Sequence, residues 1–169
     1  MALEWINLLL PIVLAVHNAD EYARYDDFVD AYHPRLTKKL TSRPVIRNAV
    51  TLLTVVVALV AGLAYVYKGG VFVTICKVAI FALLLNAISH CVLSLKRHRI
   101  LPGTVSAALL VMPYSIAAIV IMRSDCGDSY WYLLSLAAVG AITVPLAIML
   151  FLWLGYGISR WEARKQATP

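Results

Sequence analysis

The chain has 169 residues, of which 62% are hydrophobic and only 14% charged, with a mean hydropathy of +0.80. A soluble domain carries roughly 25% charged residues, so this composition excludes an ordinary water-soluble globule and leaves room for four or five apolar helices of about 20 residues each. The net charge of +6 fits the basic loops of a bilayer protein, and no nucleic-acid partner is expected.

The first element, residues 3–21, is apolar from Trp5 to Val16 with Asn7 and Pro11 inside it, and reads as a short or tilted spanning helix or a re-entrant segment. Residues 22–44 form a polar loop broken by Pro34 and Pro44, in which Tyr25, Phe28, Val29 and Tyr32 have the spacing of an amphipathic surface helix. Residues 45–67 and 71–95 are long enough to span, and Lys68-Gly69-Gly70 between them is a tight turn that makes them antiparallel neighbours. Residues 103–122 and 130–158 span again, joined by the short stretch 123–129. The expected fold is all-α: a polytopic membrane helical bundle of about five transmembrane helices, forming a single domain over residues 1–169. The three cysteines, Cys76, Cys91 and Cys126, suggest no disulfide framework.

Basic residues divide unevenly between the two ends of such a bundle. Arg24, Arg35, Lys38, Lys39, Arg43, Arg47, Lys96, Arg97, Arg99, Arg160, Arg164 and Lys165 fall on one side, against Lys68, Lys77 and Arg123 on the other. The positive-inside rule makes the first side, loop 22–44 and the C-terminus cytoplasmic, and the plasma (inner) membrane is the expected location. Lys77, inside the third helix near its outer end, is expected to snorkel to the interface. His33 and His98 lie in hydrophilic loops and are expected to be solvated.

Polar residues that membrane helices avoid gather at the cytoplasmic level. His17, Asp20 and Glu21 end the first helix, Asn86 and His90 lie near the exit of the third, and Pro102, Gly103 and Thr104 open the fourth. Spacings of i, i+3 and i+4 place each set within one wedge of a helix. Two imidazoles with two carboxylates are the donor types of a divalent transition metal, zinc or iron. The expected ligands are His17, Glu21 and His90. Asp20 is expected as a further ligand or general base beside Glu21, with Asn86 and Thr104 as outer donors that fix orientation. A proline and glycine at a helix start leave free N–H groups that suit an anionic group.

The combination His17-Asn18-Ala19-Asp20-Glu21, Asn86-Ala87-Ile88-Ser89-His90 and Pro102-Gly103-Thr104 resembles the small integral membrane proteins named for their HXXEE motif. Asp20 departs from the pattern, standing where the family has its first Glu. The resemblance implies a membrane bundle with a site at these residues and brings no firm reaction with it.

Three functions are compatible with these residues. The leading one is a metal-dependent enzyme, a hydrolase or an oxidative metalloenzyme, acting in the lipid bilayer on a lipid-like or amphiphilic substrate. The second is a small proton-coupled transporter cycling through His17, Glu21 and His90, although no inverted repeat is visible. The third is a non-catalytic structural subunit whose polar cluster fastens helices together.

Overall fold

The computed structural model describes residues 2–32 and 38–167. Among them there are helices and connections and no strand. Helix α1 runs Ala2–Ala23, α2 Tyr25–Tyr32, α3 Arg43–Tyr67, α4 Gly70–Lys96, α5 Thr104–Ser124 and α6 Tyr130–Ala167. All but α2 are long and apolar enough to cross a bilayer. The protein is an integral membrane protein.

The helix boundaries follow local chemistry. Extended backbone at Ser42 and proline in the first turn start α3, and Lys68 in the left-handed region ends it with its N–H on the Ala64 carbonyl. In α5, Pro113 has no N–H to donate and its ring crowds the carbonyl one turn back. The helix widens there into a π-turn over Ala107–Val111, where the Met112 N–H reaches the Ala107 carbonyl. Helix α6 continues nine residues beyond the expected end at 158. Its basic final turns are held to α3 by Arg47 on Glu162 at 3.6 Å and by the Asn48 amide, which donates to Ser159 and Glu162.

Packing is tight inside and apolar outside. Ile6, Leu10, Val13 and Leu14 recur on one face of α1 and bury against Cys76, Ile80 and Ala87 of α4 and Ala107, Val111 and Met122 of α5. A second cluster of Val45, Ile46, Ala49 and Leu152 joins α3 to α6, with Tyr25 and Val29 of α2 packed on or near it. At Gly155 a Cβ would sit 2.5 Å from the Val45 carbonyl oxygen, so only glycine lets α6 approach α3 this closely. Facing outward, Leu59, Leu109, Val120, Ile142 and Leu146 each expose more than half their surface. Lipid covers such a surface without cost and water does not.

The expected surface helix coincides with α2, where the Tyr25 hydroxyl donates to the Thr41 carbonyl and the Arg43 guanidinium lies over the Tyr25 ring. The side chains of Phe28 and Tyr32, and residues His33, Pro34 and Arg35, lie outside what the structure describes. Helices α1, α3, α4, α5 and α6 alternate in direction, so that α1, α4 and α6 run the same way. The C-terminal end of α1 therefore lies beside the start of α3, the end of α4, the start of α5 and the end of α6.

Lys77 does not snorkel. It is 7% exposed and forms an ion pair with Asp128 of the α5–α6 connection, its ammonium 5.4 Å from the centre of the Tyr132 ring. The connection folds back and brings the counter-charge to the lysine, which removes the need to reach water. Loss of one partner from a buried pair costs about 3–5 kcal/mol, whereas loss of both is far milder. Lys77→Met is therefore expected to lower thermal stability in detergent strongly, and adding Asp128→Asn to restore most of the loss.

Candidate metal centre

The site begins with α1. His17 and Glu21 are one turn apart, which puts both side chains on the face that α1 turns to α4. Glu21 Oε1 lies 3.3 Å from His17 Nε2 and 2.8 Å from His90 Nε2. The two imidazole rings meet edge to face, with centroids 5.0 Å apart. One ligand atom from each of His17, Glu21 and His90 lies within 4.8 Å of the others. All three residues are less than one-tenth exposed.

What holds the rings decides which nitrogens are available. His90 Nδ1 is 3.0 Å from the Pro102 carbonyl. A carbonyl only accepts, so Nδ1 carries a hydrogen, and in the neutral ring Nε2 then presents its lone pair. His17 Nδ1 is 2.9 Å from Ser106 Oγ, and Ser106 Oγ donates to Asp20 Oδ2 at 2.7 Å. The serine has one hydrogen and spends it on the carboxylate, so it accepts from His17 Nδ1, and His17 Nε2 is likewise bare. The Asn86 amide nitrogen donates to that Nε2 at 3.1 Å. Two imidazole lone pairs thus converge on one carboxylate oxygen, an arrangement that is repulsive unless a proton or a cation stands among them. Metal-binding histidines are anchored this way, with the remote N–H given to a carbonyl or, through a relay, to a carboxylate.

Asp20 stands away from the three donors. Residues 20 and 21 are adjacent and point about 100° apart on a helix, so only one of them can face α4. Glu21 does, and Asp20 faces α5, where it accepts from the Ser106 hydroxyl and from the Ser106 N–H at 3.1 Å. The anionic group at the start of α5 is therefore Asp20 itself, satisfying an unpaired N–H there. Thr104 also departs from expectation. Its hydroxyl is 2.6 Å from Ser94 Oγ and donates to the His90 carbonyl at 3.5 Å, bracing the end of α4 without reaching an imidazole. Cys91, one residue from His90, turns away and contacts Met112.

Gly103 closes the site. Its φ of +77° is in the left-handed region, and an added Cβ would lie 2.8 Å from both Glu21 Cγ and His90 Cε1. The turn thus passes directly over the two ligand side chains, and Arg24 ties it to α1 by donating to the Ile100 and Leu101 carbonyls. Ser106 had no signal of its own in the sequence, because a serine near a helix start is usually a local cap. Ser106→Ala is expected to lower metal affinity by about 10- to 100-fold, the range for outer partners of a ligand. Zinc titration against a competing chelator would measure it, and Ser106→Thr should retain most of the affinity.

The three donors border a partly open chamber of about 500 Å³ enclosed by α1, α3, α4 and α6. His17, Asn18, Glu21, Asn86 and His90 give it a polar region, and the other walls are apolar except for Thr143. The Thr143 hydroxyl donates to the Gly140 carbonyl on its own helix, and Asn18 donates to Thr54.

Comparison with curated proteins and with solved structures gives no match. The sequence profile of a family described as "Protein of unknown function with HXXEE motif" matches residues 8–118, a stretch that holds every donor and anchor of this centre, and the chain belongs to that family.

Proposed function

We propose that the protein is a membrane-embedded, metal-dependent hydrolase that holds a divalent ion of the zinc or iron class at His17, Glu21 and His90. Its substrate is an amphiphile with a carboxylic ester or amide group. The observation that carries this reading is the approach of two Nε2 atoms to Glu21 Oε1, at 3.3 and 2.8 Å, with both Nδ1 atoms hydrogen-bonded elsewhere. A site with two imidazoles, one carboxylate and an open side suits either ion. A bound ion supplies Lewis acidity and a water that ionises near neutral pH.

The chain's own groups divide the remaining work. Asp20, through Ser106, holds the His17 ring in orientation and favours its Nδ1–H form. The Asn86 amide now donates to His17 Nε2, and a lone pair committed to an ion can no longer accept that hydrogen. Asn86 is then free to donate to a carbonyl oxygen in the chamber, where negative charge develops during hydrolysis. In the reaction the oxygen of water bonds to the acyl carbon and the bond from that carbon to the alcohol or amine breaks. One proton of the water goes to the leaving group and the other leaves with the carboxylic acid, with no change of oxidation state.

The excess of basic residues at the same end as the site supports a cytoplasmic placement of that end and of the C-terminus. Protein purified without a histidine tag is expected to contain about one equivalent of zinc or iron per chain by elemental analysis. Chelation should abolish hydrolysis of an acyl ester presented in vesicles, and resupplied metal should restore it. Metal-free protein, or hydrolysis indifferent to chelation, would refute the reading. The 2.8 Å approach of His90 to Glu21 also suits a shared proton and so a proton-coupled carrier. That reading would be favoured by metal-free protein that moves protons with a solute across liposomes.

A further inference from the structure

The chamber has a definite shape. Helix α4 supplies its wall from His90 to Ile75, about 22 Å of helix at the ordinary rise per residue. That length reaches well into a hydrocarbon core about 30 Å thick. The space of about 500 Å³ follows this wall and is open on one side. It admits a polymethylene chain. Below the level of Asn86 the walls are Leu10, Ile75, Val78, Ala79 and Leu83, with the hydroxyl of Thr143 already satisfied. The other polar side chains lining the chamber are confined to the level of His17, Asn18, Glu21, Asn86 and His90.

From this we infer that the chamber is the binding site of an acyl amphiphile, one chain lying along α4 toward Ile75 and its ester or amide group beside Glu21 and His90. As a choice of substrate class this rests on the hydrolase reading, while the chain site itself rests on the walls alone. The small side chains of Ala79 and Ala147, on opposite walls, keep the bore open, so a larger residue at either position shortens the space available.

The test uses 1-O-hexadecylglycerol, a single-chain ether that the protein cannot hydrolyse, carrying a photoreactive diazirine either at the chain terminus or next to the glycerol. The full-length protein is reconstituted in phosphatidylcholine vesicles, irradiated and mapped by peptide mass spectrometry. The terminal label is expected on Leu10, Ile75 or Val78, and the label next to the glycerol on Leu83 or Val50. Ala79→Phe, and separately Ala147→Phe, should reduce terminal labelling about tenfold, equivalent to about 1.4 kcal/mol. Equal labelling of the outward-facing Leu59, Leu109 and Leu146, or a map unchanged by both substitutions, would overturn the inference. His98→Ala, outside the chamber lining, should leave the terminal map unchanged. A chamber map obtained with metal-free wild-type protein would retain the chain site and refute the hydrolase, while bound metal with labels only on the outer surface would refute the chain site alone.

Discussion

Replacing His90 with alanine is expected to yield a folded bundle with no stoichiometric metal and no hydrolysis above background. In the proposed centre His90 supplies one of the three donor atoms grouped there among the described residues. Its loss should therefore cost more than the roughly hundredfold that marks the upper range for an outer partner. The fold should survive because the helices are held by contacts the substitution does not touch, such as the burial of Ile80 and Ala87 on α4. The local cost is a Pro102 carbonyl without its donor, about 1–3 kcal/mol. His98→Ala is the matched control, since that residue is exposed in the turn after α4. Elemental analysis and a melting curve of both variants decide the matter. Equal metal in the two would remove His90 from the centre.

The second large effect is expected at Gly103. Alanine there meets two penalties: a left-handed backbone, about 1–2 kcal/mol for an L-residue, and a Cβ 2.8 Å from Glu21 Cγ and His90 Cε1. Crowding of that kind adds about 1–3 kcal/mol, and it falls on the two side chains that must keep their geometry. Gly127 separates the terms, since it has a similar φ of +69° and nothing within 4 Å of an added Cβ. Gly127→Ala should therefore lose only the backbone part of the stability and keep its metal, whereas Gly103→Ala should lose both. Melting temperature and zinc affinity measured side by side would show it, and identical behaviour of the two variants would mean that the turn over the site tolerates displacement.

The spans were legible because bilayer thickness imposes a length on apolar runs, and 45–67, 71–95, 103–122 and 130–158 each met it. The i, i+4 spacings of His17 with Glu21 and of Asn86 with His90 brought those side chains to the right faces. The same wedge argument failed for Asp20, because neighbouring residues on a helix cannot share a target and nothing in the spacing said which acid would turn toward α4. Thr104 and Ser106 exchanged importance for a related reason: the start of α5 is set by how the 97–103 turn folds over α4, a tertiary fact absent from the motif. Lys77 was misread because its partner Asp128 lies in a loop, and loop paths carry no periodicity. The chamber was invisible in the sequence, since it is the space that four packed helices leave between them.

The widened turn of α5 also settles which way that helix looks. Ser106 and Tyr114 are eight positions apart, and in a uniform α-helix they would point about 80° from each other. One surplus residue over Ala107–Val111 takes up most of that angle. Both side chains then address α1, Ser106 at Asp20 and His17, and Tyr114 by donating to the Ile6 carbonyl at 2.8 Å. Relaxing this stretch to a regular α-helix with every residue kept would reopen that angle of about 80°: α5 could grip the far end of α1 or steady His17, but not both.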